Sequence, residues 1–289
     1  MNRLESIKLS QAMATAAALA ALLGAVTAQG AEKIETRDNW TETFAVSGHD
    51  PFFELSNVWG DVRVRPGPDG NITVKITEHR SAPDQARYDR SLEALKLRTD
   101  AGPEIISMYV GGPDRHNWQH SNRCRGCRVH YQFDITVPVA TRLDVSTVND
   151  GRIDIQGVTG IVTAGNVNGP ISISGLYDCT ALNNVNGEVK LSFARAPAQD
   201  CEIETINGDV ILDMPDGAGL DVAMDLFNGK MKSDLPIDPL ALPASVRHTQ
   251  ANGRHQYQIE QPAGVRIAGG GPRFTISSMN GDIRIRRSQ

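Results

Sequence analysis

The chain has 289 residues, with 29 lysines and arginines, 34 aspartates and glutamates, and a formal net charge of −5. This mildly acidic balance argues against nucleic acid as a partner, because phosphates attract a basic patch or stripe. Aromatic residues make up only 5% of the chain and glycines number 27, and the length allows two ordinary domains or one elongated domain.

Residues 1–28 have the features of a secretory signal peptide. A short basic start precedes an apolar run between Ala12 and Val26, and small residues predict cleavage after Ala28, with Gly30 as second choice. The run is short for a membrane-spanning helix, so an uncleaved anchor is the alternative. The sequence predicts an exported mature chain, residues 29–289, that is periplasmic or extracellular and has no transmembrane segment.

The first part of the mature chain predicts strands and one short helix. Between residues 40 and 77 short alternating segments are separated by turn residues, which is typical of strands. A helix is predicted over residues 83–97, with Asp84 as its N-cap. Its apolar residues recur near helical spacing, namely Tyr88, Leu92 and Leu95. We expect this helix to cover an open end or flank of the strands.

A Cys/His-rich insertion at residues 111–130 is the most chemically reactive stretch. Cys124 and Cys127 have the Cys-x-x-Cys spacing, and His120 and His130 lie nearby. Zinc takes four nitrogen or sulfur ligands, which makes these four residues the candidate metal site. An exported chain meets an oxidising compartment, however, so a Cys124–Cys127 disulfide is favoured, and no cofactor is predicted.

An internal repeat organises the chain from Leu143 to Ser233. A short strand, an Asn-Gly corner and a second short strand return every 18 to 21 residues. Gly151 opens the series, outlying copies occur at Gly60 and Gly281, and the corners are Asn168-Gly169, Asn186-Gly187, Asn207-Gly208, Asn228-Gly229 and Asn280-Gly281. Apolar residues stand two and four positions after nearly every glycine, which indicates strands with one wet face. Asn and Gly enter left-handed backbone conformations at least cost, so the pairs predict sharp turns.

The repeat favours an all-β fold, a single β-solenoid over residues 29–289. A unit of about twenty residues cannot bury its own apolar edge, whereas stacked units bury one continuous core. The same apolar positions recur after every corner, as stacking requires. The alternative is an antiparallel β-sandwich in which each strand, Asn-Gly, strand unit is a two-residue hairpin.

Two further cysteines test this stacking. Cys179 stands seven residues before Asn186, and Cys201 stands six before Asn207. Neighbouring strands lie about 4.8 Å apart, which suits the Cα separation of a disulfide. The solenoid therefore predicts a Cys179–Cys201 disulfide, and the alternative is two unpaired buried thiols.

The order of one strand and the Asn-Gly units that follow it resembles the order found in a known protein family. In the segment Val129–Val139 apolar and polar residues alternate, which predicts a strand that Pro138 ends. The chain then leads into Leu143-Asp-Val-Ser-Thr-Val148 and the repeated Asn-Gly units. This arrangement resembles the bacterial putative-adhesin domain over residues 52–286. The resemblance implies a β-solenoid, export to the envelope and no catalytic residues. The chain departs from that pattern in the Cys/His-rich insertion and in residues 234–272, where Asn252-Gly253 predicts a degenerate unit.

Enzyme signatures are missing from the sequence. No zinc-protease, nucleophile-elbow or nucleotide-binding motif occurs. Several aspartates could line up on stacked units as calcium or sugar ligands, although solvated outward positions are favoured: Asp209, Asp213, Asp216 and Asp221. A β-helix polysaccharide-active enzyme, the catalytic alternative, would need such acids together on one face.

The sequence therefore predicts a non-catalytic exported envelope protein that acts as an adhesion or interaction module through an extended β-solenoid surface. The expected partner is a surface polysaccharide or an envelope protein. A structural or stress-related envelope scaffold is the non-enzymatic alternative.

Overall fold

A computed structural model of the chain describes residues 33–111, 124–243, 245–251, 254–260 and 263–288. The predicted signal peptide, residues 1–28, and the candidate zinc ligand His120 lie outside the described residues.

Strands dominate the described residues, which contain one short helix, α1 (Gln85–Ala94). The strands are β1 (Ile34–Ala45), β2 (Phe52–Ser56), β3 (Val62–Pro66), β4 (Asn71–Ala82), β5 (Lys96–Ala101), β6 (Ile105–Gly111), β7 (Arg128–Val137), β8 (Arg142–Thr147), β9 (Ile153–Gln156), β10 (Val162–Asn168), β11 (Ile171–Leu176), β12 (Cys179–Asn186), β13 (Val189–Phe193), β14 (Cys201–Asn207), β15 (Val210–Met214), β16 (Leu220–Asn228), β17 (Met231–Ser233), β18 (Ile237–Pro239), β19 (Ser245–Ala251), β20 (Arg254–Glu260), β21 (Ala263–Ile267), β22 (Arg273–Asn280) and β23 (Ile283–Arg287). The predicted all-β class with one short helix is confirmed.

Two large mixed sheets enclose the core. The first sheet has the order β1-β4-β7-β3-β9-β11-β13-β15-β23-β17, and the second has the order β18-β21-β16-β22-β14-β12-β10-β8-β2-β6-β5. Inward residues of both sheets, such as Leu55 and Val64, belong to one buried hydrophobic cluster. Within the described ranges neither sheet closes into a barrel. A sandwich of two facing sheets fits this arrangement at least as well as a solenoid.

The two strands of each repeat unit lie in different sheets. For example, β12 belongs to the second sheet and β13, after the Asn186-Gly187 corner, belongs to the first. The hairpin version of the sandwich is therefore wrong for these units. Neighbouring units instead pair in parallel, and their apolar positions coincide: Val145 pairs with Ala164, Ala164 with Leu182, and Leu182 with Ile203.

Seven units share one stacking order, which differs from the chain order at one end. The order is β2-β3, β8-β9, β10-β11, β12-β13, β14-β15, β22-β23 and β16-β17. The last unit of the chain thus inserts between its two predecessors. The segment that makes this possible contains the antiparallel pair β19-β20. The predicted degenerate unit around residues 252–253 is therefore wrong, because the strands on either side pair with each other.

The Asn-Gly corners stack through their asparagine side chains. Each amide donates to the amide oxygen of its neighbour, and the five distances are 3.1, 2.9, 2.8, 2.8 and 3.0 Å. The ladder runs through Asn149, Asn168, Asn186, Asn207, Asn280 and Asn228. None of these asparagines has a positive φ. Three of the glycines that follow them do have a positive φ, namely Gly169, Gly187 and Gly281. The predicted left-handed conformations therefore occur at these glycines and not at the asparagines, which act through side-chain hydrogen bonds.

Glycine follows five of the six ladder asparagines because neighbouring corners approach closely. A Cβ at Gly208 would lie 1.9 Å from the carbonyl oxygen of Gly187, and one at Gly187 would lie 2.4 Å from that of Gly169. Real atoms do not approach so closely, so the stacking itself requires glycine.

Helix α1 is shorter than predicted, because the chain enters β5 at Lys96. Asp84 is its N-cap, as predicted, and accepts a hydrogen bond from the Arg87 amide at 2.8 Å. The buried Arg80 guanidinium fastens the helix to the first sheet, donating to the carbonyl oxygens of Ser91 and Leu95 and to the Tyr131 hydroxyl. The helix lies against β4 and β5, and β5 is the terminal strand of the second sheet.

Candidate interaction surface

Cys179 and Cys201 form a disulfide between β12 and β14, with their Cα atoms 5.4 Å apart. These strands are parallel neighbours in the second sheet, as the register of the two units predicts. Both cysteines are buried. The bridge therefore crosses from one unit to the next inside the core.

Cys124 and Cys127 also form a disulfide, with a Cα separation of 5.4 Å. Both are buried beside the carbonyl oxygen of Arg87 in α1. Their sulfurs are bonded to each other, so they are not thiolates that could bind zinc. His130 lies on β7, and burial lowers its pKa below the usual value. Among the described residues no group of three or more His, Cys, Asp or Glu side chains is arranged to hold a metal ion.

The aspartates considered as sugar or calcium ligands form ion pairs instead. They bind arginines at 2.7 to 2.9 Å, and the pairs are Asp209–Arg284, Asp213–Arg286, Asp216–Arg287 and Asp221–Arg266. Similar pairs, such as Arg65–Asp154 at 2.9 Å and Lys232–Asp282 at 3.0 Å, recur on strands of the first sheet. The Asp221–Arg266 pair joins β16 and β21 of the second sheet, and the other pairs lie on or beside strands of the first sheet. Many outward charges of the first sheet therefore neutralise one another.

The outer face of the second sheet has a different character. The residue immediately before each corner asparagine is apolar yet faces outward. We call these residues the apolar row, and in stacking order they are Val148, Val167, Val185, Ile206, Met279 and Phe227. Ile206 is 43% exposed, Met279 54% and Phe227 79%. Parallel, in-register pairing converts one sequence position into a continuous row across six strands.

A second row runs beside the first. It comprises the residues three positions before the corner asparagines, and we call it the polar row: Ser146, Gly165, Asn183, Glu204, Ser277 and Asp225. Gly165 leaves a gap between Ser146 and Asn183. The two rows line an open groove of about 650 Å³.

Charge in the groove is confined to one end. Glu204 and Asp225 both pair with Ser277 in the sheet register, so their side chains project from strands on either side of it. Neither carboxylate has an ion-pair partner among the described residues, and the described lining contains no lysine, arginine or histidine. At the other end, around Ser146 and Gly165, the described lining contains no charged residue. The groove is thus polarised along its length.

A buried polar row lies between these two outward rows, and four of its six members donate hydrogen bonds to carbonyl groups at the corners, whereas the Thr205 and Ser278 hydroxyls have no partner among the described residues. Its members point into the core: Asn57, Thr147, Asn166, Asn184, Thr205 and Ser278. Asn166 donates to the carbonyl oxygen of Gly151 at 2.8 Å, and Asn184 donates to that of Gly187 at 2.7 Å. These bonds satisfy carbonyl groups at the turns, which a buried apolar side chain would leave unpaired.

Sequence reasoning missed the groove because the polarity pattern inverts just before each corner. In Asn166-Val167-Asn168-Gly169 the polar Asn166 is buried and the apolar Val167 faces outward. The residues after each glycine do not show this inverted polarity. The signal was nevertheless present, since an apolar residue precedes the corner asparagine in six units.

Comparisons with known proteins add little. The chain matches no family model and no curated protein. Among solved structures it is similar to a putative cell adhesion protein from Clostridium sporogenes, at 11% identity and a TM-score of 0.42, over 86% of this chain and 100% of that one. A putative adhesin from Bacteroides fragilis matches at 12% identity and a TM-score of 0.37, over 86% of this chain and 97% of that one. At these scores the similarities carry no argument about fold or activity.

No helix among the described residues is long and apolar enough to span a bilayer.

Proposed function

We propose that this protein is an exported, non-catalytic interaction module that binds a surface polysaccharide or an envelope protein through the groove on the second sheet. Export is supported by the predicted signal peptide and by two disulfides, which persist in oxidising compartments. The periplasm and the cell exterior both meet this condition.

The exposed apolar row is the observation that carries the proposal. Single exposed apolar residues are ordinary on soluble proteins, but contiguous apolar patches rimmed by polar residues are typical of interaction sites. Phe227, at 79% exposure, is the largest apolar side chain in this row. The described strands of the first sheet carry no exposed large apolar side chain, and several of their outward charges pair with each other.

The framework suits such a role because it holds the row rigid before any partner arrives. Every strand of the groove pairs in parallel with at least one neighbour, and the asparagine ladder joins the corners beside it. A preformed surface loses little conformational entropy on binding. The parallel, in-register units also support describing the sheet pair as a β-solenoid, whose extended face forms the module.

Affinity capture from an envelope extract tests the proposal with one blocking variant. Gly165→Tyr places a ring in the groove, and a Cβ there makes only ordinary contacts of 3.7 and 3.9 Å. Ser172→Tyr is the matched control, because Ser172 is exposed on β11 of the first sheet. We expect wild-type protein and the control to retain the same specific partner and Gly165→Tyr to lose it.

Equal capture by all three proteins would remove the groove from the proposal, and no specific capture would favour the scaffold alternative. Zymography on a polysaccharide panel tests the non-catalytic part separately. Clear depolymerisation by the wild-type protein would overturn it.

A further inference from the structure

We infer that the groove binds an extended polypeptide segment that combines apolar side chains with a cluster of lysines or arginines at one end. This inference rests on the proposed function and names the chemistry of the partner.

The length of the groove sets the size of the segment. The apolar row crosses six strands, so its outermost members lie about 24 Å apart at about 4.8 Å per strand. An extended chain rises about 3.4 Å per residue, and about seven residues therefore span the row. Val148 and Val167 mark the neutral end of this path, and Phe227 marks the acidic end.

Apolar contact and main-chain polarity together point to a polypeptide. The apolar row can bury hydrophobic side chains of a partner, which is the main favourable term in association. Ser146, Asn183 and Ser277 line the same groove and offer hydroxyl and amide groups to a peptide backbone. A hydrocarbon chain would leave those groups unpaired when it covered them.

Charge selects among the remaining partners. Glu204 and Asp225 line one end of the groove, and no other charged residue lies in its described lining. Covering unpaired carboxylates with an anion or with an apolar group costs free energy, whereas a cation compensates them. A second copy of this acidic chain would bring like charges together. An anionic polysaccharide would do the same.

Fluorescence anisotropy with defined peptides tests the inference. The probe is a labelled 11-residue peptide with valine, leucine and serine in its first seven positions and lysine in its last four. One control peptide has glutamate for lysine, and the other has serine for valine and leucine. We expect wild-type protein to bind the probe about tenfold more tightly than either control at low salt, with the difference from the glutamate peptide shrinking as salt rises.

A conservative variant isolates the charges. Glu204→Gln/Asp225→Asn keeps the shape of the groove and should weaken probe binding about fivefold to tenfold, because two ion pairs are lost. Glu104→Gln/Glu188→Gln makes the same change in net charge at exposed positions outside the groove and should leave binding unchanged. Gly165→Tyr should abolish binding, and Ser172→Tyr should not.

Three results would overturn the inference. They are equal binding of the lysine and glutamate peptides, equal effects of the two charge variants, and a groove-dependent dimer in sedimentation, which would make a second copy the occupant. If Gly165→Tyr still loses its envelope partner while the probe fails to bind, only the cationic inference fails. If neither assay responds to Gly165→Tyr, the proposed function fails as well.

Discussion

The disulfide between neighbouring units should stabilise the fold more than the local disulfide does. Cys179 and Cys201 are 22 residues apart in sequence, whereas Cys124 and Cys127 are three apart. All four residues are buried, between 1% and 8% exposed. Replacing either pair with alanine therefore removes a similar amount of buried sulfur, and the two variants differ chiefly in the loop that the unfolded chain regains.

The magnitude follows from the entropy of closing that loop. On the chain-entropy model, the longer loop corresponds to about 3.4 kcal/mol and the shorter one to about 1.6 kcal/mol. We expect Cys179→Ala/Cys201→Ala to lower the free energy of unfolding by about 1.8 kcal/mol more than Cys124→Ala/Cys127→Ala does.

Urea unfolding followed by circular dichroism measures both losses. The wild-type protein, unfolded in the presence of reductant, provides a control that leaves the sequence unchanged. Two results would refute the view that the Cys179–Cys201 disulfide joins stacked units. One is a larger loss of unfolding free energy from Cys124→Ala/Cys127→Ala, and the other is a loss below about 1 kcal/mol from Cys179→Ala/Cys201→Ala.

Further predictions concern the stack and its helix, each measured by urea unfolding. Asn186→Ala removes two ladder hydrogen bonds and Asn228→Ala removes one. We therefore expect the free energy of unfolding to fall by about 2 and about 1 kcal/mol, respectively, and equal decreases would contradict the ladder. Gly208→Ala should cost about 3 kcal/mol or more, since its Cβ would meet a carbonyl oxygen at 1.9 Å. A near-neutral result would show that the corners have room to spread. Arg80→Leu leaves the Glu78 carboxylate without its buried partner and should cost about 3 to 5 kcal/mol, whereas a loss below 1 kcal/mol would contradict its anchoring role.

Much of the framework could be predicted because it depends on local patterns. Alternation after Gly169 and Gly187 identifies strands, since the side-chain period of two is a property of each segment. The Cys179–Cys201 pairing followed from unit length alone. Asp84 marked the start of the helix, because capping chemistry is local.

The remaining features depend on contacts between units. Nothing in the β22-β23 segment states that it inserts beside β14-β15, because β12-β13, β14-β15 and β16-β17 all have the same Asn-Gly corner. The asparagines looked like turn residues, and only their spacing in the stack reveals the ladder. The apolar row could not be predicted because Val167 and Phe227 are apolar residues at outward positions, where the alternating pattern predicts polar ones. The groove itself exists only once six strands lie side by side.

Site-specific photocrosslinking in living cells tests most directly whether the second sheet is the interaction surface. Phe227→benzoylphenylalanine places the crosslinker on the most exposed apolar side chain of the groove, and Ser172→benzoylphenylalanine places it on the outer face of the first sheet. We predict a discrete adduct from position 227 that the additional change Gly165→Tyr abolishes, and no such adduct from position 172. An adduct from position 172 alone, or equal adducts from both positions, would contradict the account.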